Sequence, residues 1–292
     1  MAEQLFGIIP PMTTPFDEAG ELDEAAVRAQ VRWLLEAGVH GLAAGGSTGE
    51  GHALDPDELR RLVGAVAEEA AGRVPVIAGI IVDSTRDAIR RGRAVEGLGV
   101  AALQVTPVHY LFRPDDAAML EHFRAIADAT GLPIVIYNVV PWSYLSPALL
   151  CRIMAEVPGL IGVKQSAGDL KLLADLLIAA RPDKRIFSAV DALLYPSFSL
   201  GAQGAIAAIL AAVPHACVQL WDAVQRDDHA RALDLHRRLL VLWNALAADN
   251  LPACTKHAQA LQGVPSGQPR APMPPASAAQ QRAIQAALRE LV

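Results

Sequence analysis

The 292-residue sequence predicts an α/β fold, a (β/α)8 TIM barrel with a C-terminal helical appendage, and three observations carry that reading. Eight short β-type runs recur with starts 20 to 35 residues apart. Amphipathic helical stretches fill the intervals, and the β signals stop after residue 225. The runs lie at 7–12, 39–45, 74–80, 100–106, 132–138, 160–165, 184–190 and 204–209. Several are continuously apolar, as strands covered on both faces are. The first helix, 23–38, gathers Val27, Val31, Leu34 and Leu35 on one stripe and ends at Gly38, a good C′ residue. The second, 55–72, opens with Asp55 as cap, Pro56 and Glu58, a capping-box arrangement. Further helices fit 84–98, 115–130, 146–157, 168–180, 191–201 and 214–225. The barrel is thus expected over 1–225 and the helical region over 226–292, with helices at 228–248, 250–262 and 276–291. A doubly wound sheet is the rival, but the first strand runs into Pro10-Pro11 rather than a Gly-rich nucleotide turn.

Composition narrows the function. Apolar residues make up 52%, enough to exclude a disordered chain, and the net charge of −6 with no Lys/Arg run argues against a nucleic-acid groove or an anionic membrane surface. Three scattered cysteines, Cys151, Cys217 and Cys254, form no disulfide framework, so a cytoplasmic setting is expected. Glu3 stands where a leader peptide would carry basic charge. Residues 192–221 lack charge, but Pro196, Gly201, Gly204 and Pro214 break them into pieces too short to span a bilayer. The eight histidines show no paired metal spacing, and no metal is expected.

Barrel chemistry sits at the C-terminal ends of the strands. Those ends offer Ser47, Thr48 and Glu50 in GGSTGE, then Thr106, His109 and Tyr110, then Tyr137, Lys164 and Asp191. Lys164 closes an apolar run, so its amine should lose its charge near neutrality and become a nucleophile for a carbonyl carbon. The alternative is a lysine that reaches water or pairs with Glu50 or Asp191. Tyr137 ends the adjacent strand and suits proton transfer, or else is a core tyrosine with a local hydrogen bond. GGSTGE is either a flexible turn or a loop whose N–H groups bind a carboxylate.

These motifs in register resemble the dihydrodipicolinate synthase / N-acetylneuraminate lyase family of pyruvate-dependent class I aldolases. The likeness runs through GIIPPMTTPF, GGSTGEGHAL, TPVHY, IYNVV, GVKQSAGDL and LPACTKHAQALQG, nearly the whole chain. The resemblance implies that Lys164 forms an imine with pyruvate or another 2-oxo acid, and that Tyr137 moves the proton at the substrate hydroxyl. Gly46, Ser47 and Thr48 would bind the pyruvyl carboxylate. Thr48 would link Tyr137 to Tyr110, the latter lent by a neighbouring subunit. It also implies a homotetramer, a dimer of dimers, and no metal or organic cofactor.

Two departures colour the expected substrate. The synthase branch places an Arg shortly after the Tyr-Asn pair, where this chain has Trp142 and Ser143, with Arg113 the only nearby guanidinium in LFRP. Asp191 falls where the lyase branch has a sugar-binding Asp, but Ala192 and AIAAIL replace more polar residues. The sequence therefore disfavours the lysine-pathway synthase. It favours retro-aldol cleavage or formation of a 4-hydroxy-2-oxo acid whose aldehyde half is less polar and lies near Trp142 and Ala208. A dehydratase of 2-keto-3-deoxy sugar acids through the same imine, and a catalytically silent pyruvate-binding regulatory protein, are the alternatives.

Overall fold

Eight parallel strands form one sheet in the order β1-β8-β7-β6-β5-β4-β3-β2, in a computed structural model that describes residues 5–291. The strands are β1 Gly7–Ile8, β2 Leu42–Ala44, β3 Val76–Ile80, β4 Ala102–Val105, β5 Ile134–Asn138, β6 Leu160–Gln165, β7 Arg185–Ser188 and β8 Gly204–Ala205. The two ends of the list meet. Pro11 bridges Ala43, with Ala43 N donating to Pro10 O (3.0 Å) and Met12 N to Ala43 O (2.8 Å), which closes the (β/α)8 barrel. Glu3, used above to argue against a leader peptide, lies outside the described residues.

Helices α1 Glu24–Glu36, α2 Pro56–Ala70, α3 Thr85–Ala94, α4 Asp116–Thr130, α5 Pro147–Glu156, α6 Leu170–Ala179 and α7 Leu194–Ser199 alternate with the strands. The α2 capping box forms as its sequence indicates: Asp55 accepts from Glu58 N and the Glu58 side chain accepts from Asp55 N. Gly38 follows α1 at φ 82°, a left-handed position where glycine carries no Cβ penalty.

Two elements differ from the sequence reading. The run 7–12 gives a strand of only Gly7–Ile8, because Pro10 and Pro11 have no N–H to donate to a ladder. The run 204–209 stops after Ala205 and turns into a short helix, α8 Ile209–Ala212. That helix follows from Asp191, whose Oδ1 accepts from Ile209 N at 2.8 Å.

The remaining helices are α9 Pro214–Gln225, α10 His229–Leu246, α11 Leu251–Ala260 and α12 Ala278–Leu288. Of these, α10 packs on α9 and α12, and α11 reaches the barrel's upper rim. Gln259 on α11 donates to Ala211 O (3.0 Å) and accepts from Thr13 Oγ1 (2.8 Å), so α11 bridges the ends of the first and last strands. Inside the barrel, Ile9, Ala43, Ile77, Ala102, Val135, Phe187 and Ile206 form a buried apolar plug with Leu5. Side chains two residues further along a strand return to the same face. That places Gln104, Tyr137 and Lys164 in the layer above the plug, at the open end.

Candidate active site

Lys164 is the residue around which the site is built. Strand pairing puts it opposite Tyr137 on β5 and Phe187 on β7. The side chain is 3% exposed and its Nζ lies 3.6 Å from the centroid of the Tyr137 ring. Burial pulls its ammonium down to about 7, and the nearby Asp191 carboxylate acts in the opposite sense. Glu50, one of the partners the sequence offered, is engaged elsewhere: Lys256 Nζ donates to its Oε1 at 2.6 Å.

The other groups converge on the same space. Ser47, Thr48, Tyr137, Lys164, Asp191 and Ala208 all line one cavity of about 420 Å³. Burial pushes the Tyr137 phenol up to about 12, partly offset by the Ser47 hydroxyl beside it, so it stays a proton donor at neutral pH. The Ser47 and Ser166 hydroxyls both lie beside the phenol, and Thr48 lines the same cavity. Burial also pushes the Asp191 carboxyl up to about 6, against the Ile209 N–H that it accepts from and the charge of Lys164. Gly46 supplies backbone to the loop; its carbonyl accepts from Gly51 N at 3.0 Å.

Tyr110 and Trp142 stand outside this cavity. Tyr110 is 63% exposed and Trp142 67%, with the Trp142 indole N–H donating to His109 O at 2.7 Å. Ser143 is turned inward, its hydroxyl donating to Val108 O at 2.9 Å. The turn after β5 points the indole away from the chemistry, because Pro141–Ser143 winds a 3-10 turn that seats Ser143 and leaves Trp142 on the surface.

The structure also adds residues that the sequence reading passed over. Asp249, Leu251, Pro252 and Met273 from the C-terminal region form one wall of the cavity, and His52 stands at its rim. Ser166 follows Lys164 by two residues and lines the cavity, its hydroxyl beside the Tyr137 phenol. Gln104 is fully buried with both amide atoms unpartnered, and a Cβ on Gly46 would lie 3.4 Å from its Nε2. A polar residue in a strand otherwise reading as apolar was the available signal for Gln104. Nothing local to the chain marks Asp249 or Met273, which reach the site from a distant part of the sequence. Among the described residues, no group of three or more His, Cys, Asp or Glu side chains is placed to hold a metal ion.

A buried amine of lowered basicity, a phenol beside it and a hydroxyl-lined loop at the top of a (β/α)8 barrel are the groups that Schiff-base chemistry would need. A family model, the dihydrodipicolinate synthetase family, matches residues 4–291, and the chain belongs to that family. It is an enzyme, a lyase of the class I aldolase kind. Among its relatives, the 4-hydroxy-tetrahydrodipicolinate synthase of Bradyrhizobium diazoefficiens is 36% identical, over 97% of this chain and 95% of that one. The enzyme of the same name from Methanopyrus kandleri is 35% identical, over 94% and 92%. Among solved structures, YagE, an E. coli K12 prophage protein of the dihydrodipicolinic acid synthase family in complex with pyruvate, superposes with a TM-score of 0.93. It is 26% identical, with 98% of each chain covered.

These relatives correct the expectation that the chain is not a lysine-pathway synthase. They bear the synthase name at 35–36% identity over almost their full length. The argument from Trp142 fails on geometry. An indole lying on the surface neither fills the cavity nor makes it less polar. Trp142 is not among the residues lining the cavity, and the hydroxyls of Ser47, Thr48 and Ser166 with His52 and Asp249 make the lining more polar than Ala208 alone suggested.

Proposed function

We propose that this enzyme is a 4-hydroxy-tetrahydrodipicolinate synthase, condensing pyruvate with an amino-acid aldehyde through an imine on Lys164. The product's ring carries two carboxylates and a nitrogen. Pyruvate supplies one carboxylate and no nitrogen, so the partner must bring the rest together with its aldehyde.

The observation that carries the reading is a fully buried lysine at the end of β6 whose amine titrates near neutrality beside a protonated phenol. The neutral amine attacks the keto carbon. Tyr137 gives its proton to the departing hydroxyl, so water leaves and the iminium forms; the phenolate then takes a proton from the neighbouring methyl group and the enamine forms. The enamine carbon adds to the aldehyde, Tyr137 returns that proton to the new alkoxide, and the partner's amine attacks the iminium carbon, closing the ring and freeing Lys164. The loop of Gly46, Ser47 and Thr48 holds the pyruvyl carboxylate, and Asp191 offers a counter-charge to the iminium. Asp191 also keeps α8 in place, so the same carboxylate shapes the β8 side of the cavity.

One interface of the expected dimer of dimers fits the surface. Tyr110, Leu111, Phe112 and Trp142 are all exposed and form an apolar patch beside the site, which a second subunit would cover. In that assembly Tyr110 would reach the neighbour's cavity.

The test is incubation with pyruvate and borohydride followed by peptide mass spectrometry. A reduced pyruvyl adduct on Lys164, lost in Lys164→Ala, supports the imine. Formation of the cyclic product on adding the amino-acid aldehyde supports the synthase reaction. An adduct with no cyclic product would reject the synthase and keep the imine; no adduct on a folded protein would reject both.

A further inference from the structure

The loop that carries Ser47 and Thr48 is bolted to the far end of the chain by a buried ion pair. Glu50 closes the loop and is 1% exposed; Lys256 on α11 is 2% exposed, and their charged atoms are 2.6 Å apart. Both carboxylate oxygens are used. Oε1 accepts from Lys256 Nζ and Oε2 accepts from Arg270 N at 2.8 Å. Lys256 Nζ also donates to Gln268 O at 2.8 Å. The Arg270 guanidinium then spreads over Glu58, Gly20 O and Ala53 O, which ties the strap after α11 to both ends of the loop's surroundings.

Glu50 itself sits at φ 54°, in the left-handed region where a side chain is disfavoured. Its N–H donates to Ser47 O at 3.1 Å, so the same residue closes the turn that presents the Ser47 and Thr48 hydroxyls. The pair is therefore attached to the turn at its most strained residue. On the other side, Thr14 Oγ1 donates to Gly49 O at 2.6 Å, which holds the turn from β1.

We propose that Glu50 and Lys256 are positioning residues: their pair fixes the Gly46–Thr48 turn at the geometry that receives the keto acid's carboxylate. This rests on the reading of that turn as the carboxylate site. A buried ion pair is a poor stabiliser compared with apolar residues of similar volume, because two charges have left water. Its directional hydrogen bonds, however, fix where the groups around it lie. An effect on pyruvate binding that persists when stability is restored is the signature of positioning.

The experiment compares wild type, Lys256→Met and the double variant Glu50→Met/Lys256→Met. Borohydride-trapped adduct on Lys164 is measured against pyruvate concentration, alongside Tm. The single variant leaves Glu50 buried without its counter-ion, keeping only the Arg270 N–H, and should lose Tm; the double removes both charges and should regain most of it. Both should need at least fivefold more pyruvate for half-maximal trapping, with full adduct at saturation. A double variant whose half-saturation lies within fivefold of wild type overturns the proposal, even if Lys256→Met does not fold. So does a double variant that will not fold, since the pair would then be holding the fold rather than placing the turn. Absence of adduct in wild type is a different failure: it rejects the pyruvate-imine reading, and this inference falls with it.

Discussion

The pH dependence of imine formation follows from the burial of Lys164. An exposed lysine at pH 7 is neutral in roughly one molecule in several thousand, because its ordinary value is near 10.4. With the amine brought down to about 7, half the molecules hold the nucleophile at that pH. Below saturation, trapping should follow the neutral fraction: about 9% at pH 6, about 50% at pH 7 and about 91% at pH 8. The rate should rise roughly fivefold over the first unit and less than twofold over the second. The measurement is the initial rate of adduct formation with cyanoborohydride at low pyruvate, by intact mass, after correction for the reductant's own pH dependence. Asp191→Asn supplies the internal control. It keeps an oxygen to accept from Ile209 N while removing the charge that favours the ammonium, so the midpoint should move to lower pH. A rate that climbs tenfold per unit from pH 7 to pH 9 would falsify the claim that burial activates Lys164.

The same shift has a stability consequence whose sign can be worked out. The folded value is depressed, so between about 7 and 10.5 the unfolded chain binds the extra proton and stability rises with pH. Relative to Lys164→Met, wild type should gain about 1.4 kcal/mol per pH unit across that window, read from denaturant midpoints; a flat difference between the two would count against it. Tyr137→Phe should still form the pyruvate adduct but turn over about 10²-fold more slowly, since the proton donor is gone while Lys164 is untouched. Equal losses of adduct and turnover would instead make the phenol a structural support for Lys164. Gly79→Ala should raise the pyruvate requirement by about tenfold or more, because a misplaced binding loop is costly. Its Cβ would fall 2.5 Å from the backbone of Gly45 and Gly46, atoms that move only if the loop moves. Unchanged pyruvate affinity in a folded Gly79→Ala protein would show the loop to be indifferent to that shift.

The barrel was legible because each strand is covered on both faces and each helix on one, and both conditions write periodic patterns into short stretches. Lys164 and Tyr137 were legible for a related reason: a polar side chain ending an apolar strand must sit where the barrel opens. What the sequence concealed was direction and distance. Trp142 lies only five residues beyond Tyr137, yet one 3-10 turn sends it to the surface. Composition at that position therefore misled the substrate reading, since it described a residue that does not face the cavity.

The C-terminal region shows the same limit from the other side. Its helices read as an appendage because their amphipathic patterns state only that one face is covered, not by what. In the fold α10 and α12 are covered by neighbouring helices, while α11 and the segments beside it reach the open end of the barrel. Asp249 and Met273 become cavity wall, and Lys256 pairs with Glu50 across 206 residues of chain. No local pattern encodes a contact of that separation. A lysine on a helix and a glutamate in a turn ordinarily face water, so burial of both is visible only once the chain has closed on itself. The Ser47–Glu50 turn is thus held by residues from both ends of the sequence, Thr14 and Lys256, and if that turn receives pyruvate, truncation near α11 should weaken pyruvate binding before it touches Lys164.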